Sequence, residues 1–257
     1  MIHDQFFNFI PKIHNNKTSF ISKVSNSIYV LSIKEWNLDT FLKRIFWNPF
    51  KSIGNTFRFM STKAGLICFS VLYIAGLFFL LFDEHIPKQI DQYIHLLFAL
   101  LGSILILMAF VERKDALKAW LLIIISQCYI VLSIALINDE YEYVEITLYA
   151  CGLLAAAIIG IVILLKLKKA EKEINLNDFY GHIYHHPNLA FWFLIACLAF
   201  VGLPFTPSFI GVDLMFSHID HNEYVLIALT SISFLVLELS VLRIYARLFL
   251  GAHKKQT

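Results

Sequence analysis

The chain has 257 residues, 58% of them hydrophobic and 15% aromatic, with a mean hydropathy of +0.68. That excludes an ordinary water-soluble domain and points to an all-α, polytopic membrane bundle. The net charge of +2 selects no partner, and no basic stripe interleaves with aromatics, so nucleic acid is not expected to bind.

Residues 1–63 form a basic segment in which no run is apolar enough to cross a bilayer. Within it Leu38, Phe41, Leu42, Ile45 and Phe46 share a helical face, and after Pro49 a second stripe restarts at Phe50, Ile53, Phe57 and Met60. The pattern predicts two amphipathic helices lying on the membrane surface or a partner subunit. From 64 to 251 the chain reads as a transmembrane bundle, and 252–257 as a short tail. Judged by the roughly 20 apolar residues needed per crossing, about six spans are expected. They fall near Ala64–Phe82, Tyr93–Val111, Ala119–Ile137, Val144–Leu165, Leu189–Leu203 and Tyr224–Leu250. Phe209–Ser217 is too short to cross alone and reads as a half-helix. The loops containing Arg113, Lys114 and Lys118, then Lys166 to Lys172, alternate with the acidic or neutral loops Asn138–Tyr143 and Ile219–Glu223. This alternation places both termini on the cytoplasmic side, with the KLKKAEKE run predicted to carry a helix out into water.

Lys and Arg aside, the charges inside apolar runs are few. The stretch LAFVGLPFTPSFIGVDLMFSH is interrupted by Gly202, Pro204 and Pro207, through which a regular helix cannot pass unbroken. Broken backbone at membrane depth is tolerated where protein buries it or where it lines a wet cavity. Asp213 follows on the short helix beyond the break, and Glu238 sits near the middle of the last span in FLVLELSVL. Intramembrane carboxylates are functional-site hypotheses by default. Arg243 and Arg247, one and two turns past Glu238, are its expected partners or else snorkel to the headgroups.

Other chemistry is weakly signalled. Cys68, Cys128, Cys151 and Cys197 lie apart in apolar runs without a CxxC pair and read as small buried hydrophobes. His182, His185 and His186 form an HxxHH cluster, but Pro187 follows at once, so no metal site is expected. No phosphate loop, nucleophile elbow or cofactor motif is present, and no cofactor is expected. The start of the chain lacks the features of a secretory signal.

Three stretches resemble a known family. FVERKDALKAWLLIIISQCYIVL is similar to a family span in which an aspartate and a basic residue, here Asp115 and Lys118, precede an apolar run ending in a Ser-Gln pair, here Ser126 and Gln127. HHPNLAFWFLIACLAFVGLPFTPSFIGVDLMF resembles the family's span, GLP break and Phe-x-Gly helix, with Val212 where members carry a Glu or Lys and Asp213 one place on. LELSVLRIYARLFLG looks like the last conserved span of the M-type subunit of respiratory complex I, including Arg243, Tyr245, Arg247 and Gly251. The family is that of the antiporter-like membrane subunits: the complex I subunits of M, L and N type, Mrp-type cation/proton antiporters, membrane hydrogenases and inorganic-carbon uptake complexes. The resemblance covers roughly 93–251 and implies a truncated or split member.

What it implies is a proton-translocating subunit of an NADH:quinone oxidoreductase-like or Mrp-like complex, with no redox chemistry in this chain. A bacterial inner membrane would hold it beside a homologous antiporter-like chain. The proton path would involve Glu238 and Asp213, with Lys118 as an electrostatic modulator and Asp115, Arg243 and Arg247 as charge partners. The alternative is a non-conducting structural subunit that anchors a full-length homologue or a soluble catalytic partner.

Overall fold

The computed structural model describes residue 29 and residues 38–57, 62–81, 88–137, 144–171, 174–217, 219 and 223–251. The basic stretch before Leu38, the acidic loop 139–143 and the tail lysines Lys254 and Lys255 lie outside the described residues, Tyr29 excepted. Every regular element among the described residues is helical. In chain order these are α1 (Leu38–Leu42), a π turn (Lys43–Trp47), α2 (Asn48–Thr56), α3 (Lys63–Leu81), α4 (Lys88–Val111), α5 (Ala116–Ala135), α6 (Val144–Glu171), a 3₁₀ turn (His182–Tyr184), α7 (Pro187–Val201), α8 (Pro207–Ser217) and α9 (Tyr224–Phe249).

Two compact units divide the chain, Met1–Pro49 and Phe50–Thr257. Pro49 is the second residue of α2, and the interruption between α1 and α2 falls just before it, in the π turn Lys43–Trp47. The proline ring clashes with the carbonyl four residues earlier, and the π turn immediately before it widens the backbone enough to let α2 follow directly. Phe41, Ile45, Phe46 and Trp47 are all exposed.

The second unit opens before residue 63 because Gly54 seats α2 on α4. A Cβ there would lie 2.4 Å from the Leu107 carbonyl oxygen and 2.5 Å from Val111. The following helices run up and down. Ser126 Oγ donates to the Gly102 carbonyl and Ser133 Oγ to that of His95, so α5 is antiparallel to α4. Trp120 Nε1 donates to the Ala157 carbonyl near one end of α5, while Gln127 meets Tyr149 further along, which sets α6 antiparallel to α5. Helix α9 returns parallel to α4, with Glu223 near His95 at one end and Arg243 near Phe110 at the other. The end holding Lys118, Lys168, Arg243 and Arg247 is called here the basic end.

Among the described residues four helices are long and apolar enough to cross a membrane: Tyr93–Val111, Ala116–Ala135, Ile146–Glu171 and Tyr224–Phe249. Ala64–Leu80 and Pro187–Val201 are apolar but shorter. Four of the six predicted spans meet that length; of the two shorter ones, α7 is cut short because Gly202 stops it after Val201. As the KLKKAEKE run predicts, α6 continues beyond its apolar part to Glu171.

The core is centred on Trp120, which is fully buried and has the Phe193 and Phe200 rings 5.0 Å away on α7. Gly160 on α6 makes room for it: a Cβ there would lie 2.2 Å from the indole. Close backbone approach through glycine is the usual way membrane helices gain van der Waals contact, since lipid supplies no hydrophobic drive between them.

Candidate functional site

The helix break is the first element of the site. Helix α7 ends with Gly202 in the left-handed region, φ 80 and ψ 56. Its N–H donates to the Ala199 carbonyl and that of Leu203 to the Leu198 carbonyl, the paired bonds of a Schellman stop. Pro207 then opens α8 at a position where its missing N–H is no loss. The polar groups freed by the break are met inside the chain. Thr206 Oγ1 donates to the Leu203 carbonyl at 2.7 Å, Ser208 Oγ donates to the Ala199 carbonyl at 2.5 Å, and the two hydroxyls lie 2.8 Å apart. Gly202, Pro204 and Pro207 therefore shape a break that is closed by hydroxyls. Phe205, between the prolines, is 93% exposed.

Beyond the break α8 presses on α6. Ser208 lies 2.7 Å from where a Gly152 Cβ would stand, and Tyr149 2.6 Å from that of Gly211. Tyr149 in turn donates its hydroxyl to Gln127 Oε1 at 2.8 Å, deep in the bundle. Gln127 and Tyr149 are both buried, and Gln127 Nε2 has no hydrogen-bond partner among the described residues. Sequence singled out Gln127 through the Ser-Gln pair but gave no sign of Tyr149, whose partner comes from another helix.

At the basic end the charges are paired, though not as the sequence suggested. Lys118 meets Glu112 at 3.0 Å, and the Glu112 side chain is only 3% exposed. The same carboxylate accepts the backbone N–H groups of Arg113 and Lys114. Asp115 pairs with Lys168 at 3.0 Å and caps α5 by accepting the Leu117 and Lys118 N–H groups. Arg243 donates to the carbonyls of Ala109, Phe110 and Glu112 and stands over the Phe110 ring. It thereby satisfies carbonyls that the end of α4 leaves without helical partners. Arg247 donates to the Asn177 carbonyl and lies 4.1 Å from the centre of the Phe179 ring.

The expected pairing of Arg243 and Arg247 with Glu238 is therefore corrected. Both point to the loops that close the basic end. Lys118, expected as an electrostatic modulator, is fixed by Glu112, which was not among the expected partners. Glu112 is six residues before Lys118 across a loop, and no helical spacing relates them.

Glu238 and Asp213 are the two carboxylates expected to carry the relay. Both are exposed, so neither enters the bundle interior where a relay buried within this chain would need it. On α9 the inward face is Ser233, Val236, Leu237, Ser240, Val241 and Ile244. Glu238 is two residues from both Val236 and Ser240, about 200° around the helix, and so faces away. No ion pair or hydrogen bond reaches either carboxylate among the described residues. Insertion scales put a charged side chain at the bilayer centre at about 3 kcal/mol or more, so an outward mid-span Glu238 is conspicuous. At the end opposite the basic one, His95 Nε2 lies 3.5 Å from Glu223 Oε2, an ion-pair contact without hydrogen-bond geometry.

Among the described residues no three His, Cys, Asp or Glu side chains gather to hold a metal ion. His182 is buried with its ring stacked on Tyr180 and sits 3.9 Å from Glu171, while His185 and His186 are exposed. Comparisons with protein-family models, with curated proteins and with solved structures returned no match for this chain.

Proposed function

We propose that this chain is a proton- or cation-translocating subunit of an energy-coupled membrane complex of the antiporter-like kind, and that it works only together with other membrane subunits. The observation that carries the reading is Glu238, an ionisable side chain in the middle of a 26-residue apolar helix, exposed on the outside of the bundle. A carboxylate in that place is stable when it is protonated, hydrated or paired. Switching between those states is what a proton relay needs. Asp213, exposed on the half-helix after the break, is the second relay group on this reading, and the Gln127–Tyr149 pair is a polar point inside the bundle beside α8. Lys118 acts indirectly, through its pairing with Glu112.

Counting α3 as a crossing, and α7 with α8 as one interrupted crossing, gives about six passages of a bilayer. The basic end faces the cytoplasm on this topology, as the positive-inside rule asks, with both chain termini there and a bacterial inner membrane as the setting. A homologous antiporter-like chain is the proposed neighbour.

The test is pH-gradient formation in vesicles holding the purified native complex. Complexes that retain Glu238→Gln or Asp213→Asn are expected to lose the gradient by about tenfold or more, since neither amide can exchange a proton. Normal gradients from both variants would remove the conduction reading.

A second reading, a non-conducting structural subunit, is favoured by a specific observation. Lys118, Asp115 and Arg243 are each engaged by partners in the chain, as charges that only hold a fold together would be. The same vesicle experiment separates the two.

A further inference from the structure

The outward face of α9 carries a row of exposed residues, Ala228, Ser231, Leu235, Glu238 and Leu242, spaced alternately by three and four positions. That is the spacing of a seam between two helices, each residue in the row facing the same neighbour. Leu235 and Leu242, one turn to either side of Glu238, are each 48% exposed, so nothing in the described chain covers the row at its carboxylate. Apolar members of the row need no cover, because acyl chains suit them. Glu238 does.

Its depth removes the two easy escapes. Tyr224 begins the helix 14 positions before it, about 21 Å away by helical rise. In the other direction Arg243 is already engaged with the carbonyls closing α4, so the cation nearest along the helix is not available to it. Toward Tyr224 a glutamate is too short to snorkel over such a distance, unlike lysine or arginine.

We propose that this face of α9 docks a transmembrane helix of a different subunit, one that presents a lysine or arginine at the depth of Glu238. Charge complementarity selects that occupant. A second copy of this chain would set two carboxylates against each other, each disfavouring ionisation of the other. A purely apolar helix would leave the carboxylate desolvated without a donor. The cation of the partner is equally misplaced in lipid on its own, so the pair gives each subunit a reason to assemble and fixes the register between the two helices. The inference does not rest on conduction: a scaffold subunit would dock in the same way.

The experiment places a photo-crosslinking amino acid at Leu235 or Leu242 of the full chain, expressed in its native membrane with its natural partners. The control position is Ile158, exposed on α6 at 61%. Irradiation is expected to join both α9 positions to one and the same other polypeptide. Mass spectrometry then places the attached residue in a span, within a turn of a lysine or arginine. Glu238→Leu and Glu238→Lys are expected to lower that adduct about tenfold or more, and exchanging the partner's basic residue for glutamate restores it against Glu238→Lys. The Leu variant, which adds no charge, keeps the melting temperature of the solubilised chain and so separates lost docking from lost folding.

Adducts only with lipid, with a second copy or within the same chain overturn the proposal. So does a partner span without a basic residue at that depth, or an adduct yield indifferent to Glu238. Intact crosslinking in Asp213→Asn complexes that form no pH gradient would support both readings, whereas an adduct that depends on Glu238, in complexes whose Asp213→Asn and Glu238→Gln variants pump normally, would leave docking standing and remove conduction.

Discussion

The basic end and the central belt of this molecule treat charge in opposite ways. At the basic end Glu112 holds Lys118, Asp115 holds Lys168 and Arg243 closes the carbonyl end of α4. In the belt, Asp213 and Glu238 have no such partner among the described residues. Charge that is satisfied inside the chain stabilises the fold, and charge that is left outward in an apolar belt asks for something beyond it. The difference also sorts the polar residues of the belt, where Ser208 and Thr206 close the helix break from within and belong with the first class.

The comparison breaks most sharply at Arg243. Replacing it by alanine strands the carbonyls of Ala109, Phe110 and Glu112 at a buried helix end, an expected loss of about 3 kcal/mol. It would be read as a lower melting temperature in detergent. Lysine should recover less than half of it, because a point charge cannot span three acceptors as the guanidinium fork does. If Arg243→Ala melted like the parent, the basic end would not be the structural lock described here.

Gly211→Ala comes next. Its new Cβ would stand 2.6 Å from the Tyr149 backbone nitrogen and side chain, so α8 must move off α6. Overpacking of this kind costs about 2 kcal/mol, and the same thermal melt measures it. The smallest effect is expected at Glu238→Gln in the isolated chain, within about 0.5 kcal/mol, the range of exposed positions without internal partners. A large loss there would mean that the carboxylate is held inside the chain after all, and would place it with the basic end.

How far the sequence could be read follows the same division. The resting places of the long helices were legible because 18 or more apolar residues in a row leave the backbone no other way to meet its hydrogen bonds in lipid. The break was legible too, since Gly202 and Pro207 act locally on their own backbone. Helix α7 stops short of the predicted end of its span for that same reason, the glycine ending it after Val201. The pairing of charges was not legible. Glu112 finds Lys118 across a turn, and Lys168 finds Asp115 from a helix 53 positions away, and neither relation leaves a periodic trace.

The sequence by itself therefore determined that this protein is built of apolar helices, where one of them breaks, and which few ionisable residues fall in apolar runs, because each of these depends on the chemistry of neighbours along the chain. Only the tertiary structure decided that Arg243 caps a neighbouring helix instead of meeting Glu238, and that Glu238 looks outward. Which way a side chain faces depends on where the other helices stand, and on α9 that was fixed by the seam of Ser233, Val236, Leu237, Ser240 and Ile244 packed inward against the bundle.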